Sequence, residues 1–435
     1  MKSSLLAPYL HALQAGSTLR WKGRVNQVVG NLIESEGPFG FVGESCEIMG
    51  AGDKTYAAEI VGFRGTTILS MTDDQPQGIR LGDQIVAWGA RPSIRVGAGL
   101  LGRVIDPAGN PLDGKGDYRA THAVTIDGSA PLPLERVAIR EPLGCGIRAI
   151  DGFLTCGRGQ RIGILGGSGV GKSTLIGMMA RGTAADMTVL ALVGERGREV
   201  GEFLEVLGKE GLKRSVVIVS TSDQSPLLRI RAALAATAVS EYFASLGKNV
   251  LLITDSLTRF AMAQREIGLA AGEPPTAKGY TPSCLNMLAR LVERAGNFSQ
   301  GSITAFYTVL MEGDDQLDPV VDTVRSLLDG HVILDRNLAM RSHYPPISVI
   351  ESLSRLMSSM VSKEHLAKAN ALRLALASYA RSEDLIRIGA YQPNTDPVLD
   401  RAIRNLPAIN NFLQQTPDQL YKYEQVVEQI MALPG

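Results

Sequence analysis

Residues Gly166-Gly167-Ser168-Gly169-Val170-Gly171-Lys172-Ser173 complete the pattern G-x-x-x-x-G-K-[ST], and no other stretch of the 435-residue chain constrains its fold as tightly. The preceding Gln160-Arg161-Ile162-Gly163-Ile164-Leu165 reads as a short buried strand, and Thr174-Leu175-Ile176-Gly177-Met178-Met179-Ala180 as the first turns of a helix. A glycine-rich turn matching by chance would lack that strand–loop–helix setting. Glycines let the backbone turn tightly and bring its N–H groups up to phosphate oxygens. Lys172 is placed to neutralise the β- and γ-phosphates and Ser173 to hold Mg²⁺, with Thr174 beside them at the positive end of the helix dipole.

Length is enough for about three domains, and 45% hydrophobic with 20% charged residues suits a chain with a proper core. Lys+Arg and Asp+Glu both number 44, so no global basic field is available to hold a nucleic acid backbone, and no nucleic acid partner is expected. Cys46, Cys145, Cys156 and Cys284 form no C-x-x-C pair and have no neighbouring histidines, which reads as reduced core thiols. No apolar run reaches the length of a membrane span. The start, Met1-Lys2-Ser3-Ser4-Leu5-Leu6-Ala7-Pro8, faintly mimics a signal peptide, but it is short, broken by Pro8 and His11, and lacks a convincing cleavage site. A cytoplasmic protein is expected.

The hydrophobic period changes three times along the chain. Leu5, Leu6, Tyr9, Leu10 and Leu13 share one helical face, so residues 1–18 read as an amphipathic helix ending at Ala15-Gly16-Ser17. Residues 19–90 carry short strands at 24–29, 57–63, 67–70 and 84–88 between glycine-rich turns, the pattern of a small β-barrel. Across 91–345 helices alternate with continuously apolar runs at 189–193, 216–219 and 250–253, as in a parallel sheet with helices on both faces. Residues 346–435 are helical in pattern.

Phosphate transfer to water needs a second carboxylate on the metal side, a water activator and cations for the transition state. Asp255 ends the apolar run 250–254, in the crevice at the carboxyl ends of the strands, although a helix N-cap before Ser256-Leu257-Thr258 is the alternative. Glu195, after Gly194, points into the same crevice and can polarise a water, or else forms a surface ion pair with Arg196 or Arg198. Arg196 and Arg259 are candidate γ-phosphate contacts; each could equally be a solvated cation.

These segments together resemble the rotary ATPase superfamily. The resemblance rests on Gly194-Glu195-Arg196-Gly197-Arg198-Glu199, Thr254-Asp255-Ser256-Leu257-Thr258-Arg259-Phe260-Ala261, Gly272-Glu273-Pro274-Pro275-Thr276-Ala277-Lys278-Gly279-Tyr280, Glu312-Gly313-Asp314-Asp315 and Leu328-Asp329-Gly330-His331. Within that superfamily the chain is most similar, from about Gly23 to Ile403, to the flagellar and type III protein export ATPases. The resemblance implies a RecA-like P-loop core between a barrel and a helical domain, and a catalytic β-type subunit. In it Lys172 and Ser173 bind phosphate and Mg²⁺, Glu195 activates water and Asp255 is the second acid of the metal shell. It implies that Tyr344, before Pro345-Pro346, stacks on adenine, for which a tyrosine packed on prolines is the alternative. It implies that Arg355 completes a neighbour's site, against a plain surface arginine, and that 272–280 faces a ring channel entered by a stalk protein.

The implied activity is Mg²⁺-dependent ATP hydrolysis by a homohexameric ring at a membrane export gate, releasing and unfolding cargo from chaperones. The N-terminal helix would dock a stator-like regulator. Cys284-Leu285-Asn286 and Asp335 depart from the usual family residues, outside the catalytic set. A catalytic subunit of an F- or V-type synthase is the main rival. Against it, Tyr379-Ala380-Arg381-Ser382-Glu383-Asp384 stands where such subunits carry an acidic lever motif. A non-hydrolysing ring subunit would lack Glu195. A RecA-fold RNA translocase would want basic residues among the barrel aromatics Trp21, Phe39, Phe41, Tyr56 and Phe63. Nothing in the motifs separates a flagellar from an injection apparatus.

Overall fold

The computed structural model describes residues 20–311 and 318–434. The expected N-terminal helix and the segment Glu312-Gly313-Asp314-Asp315 lie outside the described residues.

Six strands close into a barrel: β1 (Lys22–Val29), β2 (Leu32–Glu36), β3 (Ser45–Met49), β4 (Thr55–Arg64), β5 (Thr67–Thr72) and β6 (Gln84–Ala87), in the order β1-β2-β5-β4-β3-β6. Alternate residues point inward, so Val25, Ile33, Ile48, Ile60 and Ile85 fill the interior while their neighbours face out. The sequence reading missed β2 and β3. Both interleave Glu and Ser with their apolar residues, and only pairing with β1, β5, β4 and β6 makes strands of them. Tyr56 turned into the barrel, whereas Trp21, Phe39, Phe41 and Phe63 are exposed.

The barrel is fastened to the next domain by one buried cation. Arg231, in the helix Pro226–Ser245, donates from Nη2 to Glu59 Oε2 at 2.9 Å and from Nη1 to both Asp73 oxygens at 2.8 Å. A two-stranded ribbon of β7 (Ser93–Val96) and β9 (His122–Thr125), unanticipated from sequence, follows the barrel, and β8 (Arg103–Ile105) joins the large sheet.

That nine-stranded sheet holds β10 (Arg161–Gly166), β11 (Met187–Glu195), β12 (Ser215–Thr221), β13 (Asn249–Asp255), β14 (Gly296–Asn297), β15 (Ser302–Leu310), β16 (Gly330–Leu334) and β17 (Ile347–Ser354) besides β8. The order is β17-β16-β10-β15-β13-β11-β12-β8, parallel from β16 to β8, with β14 antiparallel to β15. Helices cover both faces, which is why the central strands are apolar throughout rather than alternating.

One expectation is corrected here. Residues from 346 on were read as helical, but Ile347–Ser354 is β17, an antiparallel edge strand on β16. Its β-branched Ile347, Val349 and Ile350 favour extended backbone, and helix begins only at Met357. The remaining tail packs as three helices, Lys363–Arg387, Pro397–Leu413 and Tyr423–Ala432, against the short helix Arg148–Phe153. Phe153 meets Phe412 edge-on with centroids 6.0 Å apart, and His365 Nε2 lies 2.8 Å from Gly152 O. All four cysteines are free and buried, and burial pushes the Cys46 and Cys284 thiols up to about 12. No helix among the described residues is long and apolar enough to cross a membrane.

Candidate nucleotide-binding site

The phosphate loop leaves β10 in the middle of the sheet and enters the helix Lys172–Gly182. Gly169 and Gly171 take φ values of +78° and +93°, so the chain reverses where a Cβ would be strained. The helix cap, Gly171, offers no side chain to the first-turn amides, which stay available to an anion. Val170 is buried and anchors the loop, while Ser168, Gly169 and Ser173 are exposed. Gly166 and Gly167 are buried at the strand end, and Thr174 is half-buried.

Three carboxyl-terminal strand ends converge on this loop. Asp255 closes β13, and its Oδ1 lies 2.6 Å from Lys172 Nζ and accepts a 2.6 Å hydrogen bond from Thr308 Oγ1 on β15. The helix cap at this point is Ser256, whose side chain accepts from Arg259 N, so Asp255 is free of that duty. Glu195 closes β11 at only 9% exposure. Its partner is neither Arg196 nor Arg198 but Arg259, with Nε 3.2 Å from Oε1. That contact is too bent to count as a hydrogen bond, leaving Oε1 a buried oxygen without one. Burial, then a hydrogen bond with Glu199, then the charge of Asp255 push the Glu195 carboxyl up to about 7. Lys172 and Arg259 oppose that rise.

Arg196 is not in this cluster: its side chain is 72% exposed and lies 3.8 Å from Glu199. Tyr344, 49% exposed, faces Gly171, where an added Cβ would sit 3.8 Å from its ring. It lines a cavity of about 710 Å³ that runs from Gly171 and Thr174 to Thr416, Pro417 and Tyr421 of the tail. Tyr344 is therefore a wall of a cavity rather than a ring hidden on prolines. Arg148 supports the far wall, with its guanidinium 4.7 Å from the Tyr421 ring centre.

Arg355 lies elsewhere. It follows β17, whose antiparallel run carries it back to Gly330, and its N–H donates to Asp329 O. Gly330 begins β16, so Arg355 stands at the amino-terminal edge of the parallel strands, opposite the chain's own phosphate loop. It is exposed there. The loop 272–280 is exposed too, apart from half-buried Glu273 and Gly279 and buried Tyr280.

Sequence reasoning missed Thr308, Glu199 and Tyr421. Thr308, one of two buried threonines in the apolar strand Ser302–Leu310 and the one nearer its carboxyl end, was a usable signal for the first. Glu199 lies in the first turn of the helix Gly197–Lys213 that follows Glu195, and was visible as a motif member only. Tyr421 had no signal, since only folding the tail back across the loop brings it near.

An apolar-walled cleft beside a lysine-bearing phosphate loop, with two buried carboxylates at neighbouring strand ends, defines a P-loop nucleotide hydrolase. Residues 146–354 match the family model described as the ATP synthase alpha/beta family, nucleotide-binding domain, and residues 361–432 match the T3SS EscN ATPase C-terminal domain. The flagellum-specific ATP synthase of Bacillus subtilis (strain 168) is 51% identical over 416 residues, 95% of each chain. The type 3 secretion system ATPase of Xanthomonas euvesicatoria is 48% identical, covering 93% of this chain and 92% of its own. The assembled ATPase EscN of the enteropathogenic E. coli type III secretion system superposes with a TM-score of 0.89 at 43% identity, over 94% of this chain and 98% of that one. A second structure, EscN in complex with its central stalk EscO, gives 0.87 at 42% identity, over 94% and 98% of the two chains. The chain belongs to the flagellar and type III secretion ATPase family. The expected resemblance and fold class are both borne out, and the enzyme class is ATPase.

Proposed function

We propose that this chain hydrolyses ATP for a flagellar or type III protein export apparatus, working as a homohexameric ring that releases and unfolds export cargo. The observation that carries the reading is the opposition of two half-sites: Lys172, Asp255 and Glu195 at one end of the sheet, Arg355 exposed at the other. A chain with its loop on one side and an exposed arginine on the opposite side suits head-to-tail closure into a ring.

In this reading residues 166–174 cradle the phosphates, Lys172 supplies the point charge, and adenine lies against Tyr344 with Tyr421 across the cavity. Ser173 and Asp255 fit Mg²⁺: one exposed hydroxyl and one carboxylate, the sparse all-oxygen set that suits an ion finishing its shell with phosphates and water. When bound, the ion neutralises charge on the β- and γ-phosphates. Lys172, freed from Asp255 by phosphate, moves its charge onto the nucleotide. Glu195 orients the attacking water and takes its proton, and Arg259, paired with Glu195, stabilises the charge that develops on the γ-phosphate. Arg196 has a weaker claim as a second such cation, being solvated. Arg355 acts on the neighbour's γ-phosphate.

The same reading gives residues 1–18, the expected amphipathic helix, to a stator-like regulator, 19–90 to the barrel, 91 to the end of β17 to ATP binding, and the helices from Met357 on to the tail. Loop 272–280 meets a central stalk protein. EscN is solved with such a stalk, which supports this. Chaperone–cargo complexes are the substrates of the ring, and the enzyme is cytoplasmic, held peripherally at the membrane export gate.

Mixed rings test the proposal. Lys172→Ala and Arg355→Ala are each expected to be inactive, the first because the phosphates lose their point charge, the second because such arginines are worth about 10³–10⁵ in rate. Mixed, a Lys172→Ala subunit still offers Arg355 to a neighbour with an intact loop, so some interfaces regain activity. Crosslinked mixed rings as dead as either parent would place Arg355 outside the mechanism.

A further inference from the structure

Arg229 and Glu266 form a bidentate ion pair beside the catalytic end of β11 that the mechanism above does not use. Arg229 lies in the first turn of the helix Pro226–Ser245, two residues before the barrel anchor Arg231. Its Nη2 donates to Glu266 Oε2 at 2.6 Å and its Nη1 to Oε1 at 3.2 Å, with the arginine side chain only 14% exposed. Glu266 lies on the helix Leu257–Ala271, seven residues (about two turns) after Arg259, hence on the same face. Gly194 is the third party. Its φ of +67° directs the chain so that Glu195 enters the cleft, and a Cβ there would lie 3.1 Å from Arg259 Cδ and 3.4 Å from Arg229 Cδ. The stems of both arginines therefore rest on the same glycine, one reaching Glu195 and the other diverted to Glu266.

We infer that Arg229 and Glu266 are positioning residues, clamping the helix that carries Arg259 onto Gly194 so that Arg259 alone faces the Glu195 carboxylate. Two physical effects act together. The pair ties the helix to the end of β11, and it keeps the charge of Arg229 from competing for Glu195, which lies one residue from the glycine it covers. Arg231, anchored on Glu59 and Asp73, holds the same helix from the barrel side. Breaking the clamp lets Arg259 drift from Glu195, and displacements of about 1 Å in such sites cost up to about 10²-fold in rate.

This inference rests on Glu195 and Arg259 acting on the γ-phosphate, and the experiment separates the two claims. Glu266→Ala is expected to lower kcat about tenfold or more, with KM for ATP unchanged. Glu266→Gln, which keeps an acceptor for the guanidinium, should retain most of the turnover. It also serves as the informative variant should Glu266→Ala fold poorly. The decisive step repeats Glu266→Ala in an Arg259→Ala background at raised enzyme concentration. If the clamp works through Arg259, the second substitution adds no further loss. The same fold-loss in both backgrounds, or a Glu266→Ala enzyme with full kcat, would overturn the inference. An Arg259→Ala enzyme with full activity would instead refute the underlying role of Arg259.

Discussion

The acid limb of the pH–rate profile follows from how Glu195 is buried. A general base must be ionised in the free enzyme, and kcat/KM reports the free enzyme's groups. Burial, the Glu199 hydrogen bond and the charge of Asp255 raise Glu195 to about 7. The working form is therefore lost as pH falls through about 7, tenfold per unit below it. At pH 5.5 about 3% is ionised, and kcat/KM falls about 30-fold from its plateau. ATP's own γ-phosphate also titrates near neutral pH, so the test compares variants under identical substrate conditions. Glu199→Ala removes the hydrogen bond that favours the protonated form, and its limb should move to lower pH. Arg259→Ala removes a cation that favours the anion, and its residual activity should show a limb at higher pH. Steady-state hydrolysis by phosphate release, from pH 5 to 9 at saturating Mg²⁺, reads both. A limb that stays put in both variants would refute the assignment, because the titrating group would then be substrate or some other residue.

Glu195→Gln should bind ATP about normally by equilibrium titration yet turn over poorly, whereas Lys172→Ala should lose affinity and turnover together, since the phosphates lose their point charge. Tyr421→Ala should raise KM for ATP by about tenfold with little change in kcat, base stacking being worth about 1–3 kcal/mol; an unchanged KM would remove Tyr421 from the adenine site. Arg231→Met strands Glu59 and Asp73, which keep 19% and 16% exposure, so the loss at pH 8 should be about 2–4 kcal/mol, below the fully buried case. Burial already raises Asp73 against the pull of Arg231, so without Arg231 its carboxyl holds its proton more tightly still in the folded chain than in the unfolded one. Stability then falls as pH rises above the ordinary carboxylate range, and urea midpoints at pH 5 and 8 should diverge from wild type increasingly. A pH-independent shift under about 1 kcal/mol would mean that water screens the triad. Deleting residues 1–14 should leave basal hydrolysis intact and abolish co-purification with the regulator; loss of folding would instead place that segment on this protein's own barrel.

Local rules accounted for everything whose cause is local. The phosphate loop is legible because only glycines tolerate the backbone of Gly169 and Gly171, and because charge and hydroxyl must follow at once in Lys172 and Ser173. Strands β11, β12 and β13 are legible because burial on both faces demands unbroken apolar runs, and their acidic ends at Glu195 and Asp255 stand out against those runs. What depends on chain segments far apart was silent. β2 and β3 are strands only because a closing barrel supplies their hydrogen-bond partners, and Ile347–Ser354 reads as the start of a helical tail until β16 offers it an edge. Whether Glu195 pairs with its neighbour Arg196 or with Arg259, 64 positions on, was undecidable along the chain. Tertiary structure chose Arg259, because the turn at Gly194 aims the carboxylate into the cleft while Arg196 stays in water. Tyr421 reaches the cavity only because the tail helices pack on Arg148–Phe153, and Arg355 faces away from its own loop because β17 runs antiparallel. Residue types follow from the chemistry required. Which of them meet is set by strand order and direction, and those depend on burying the whole sheet at once.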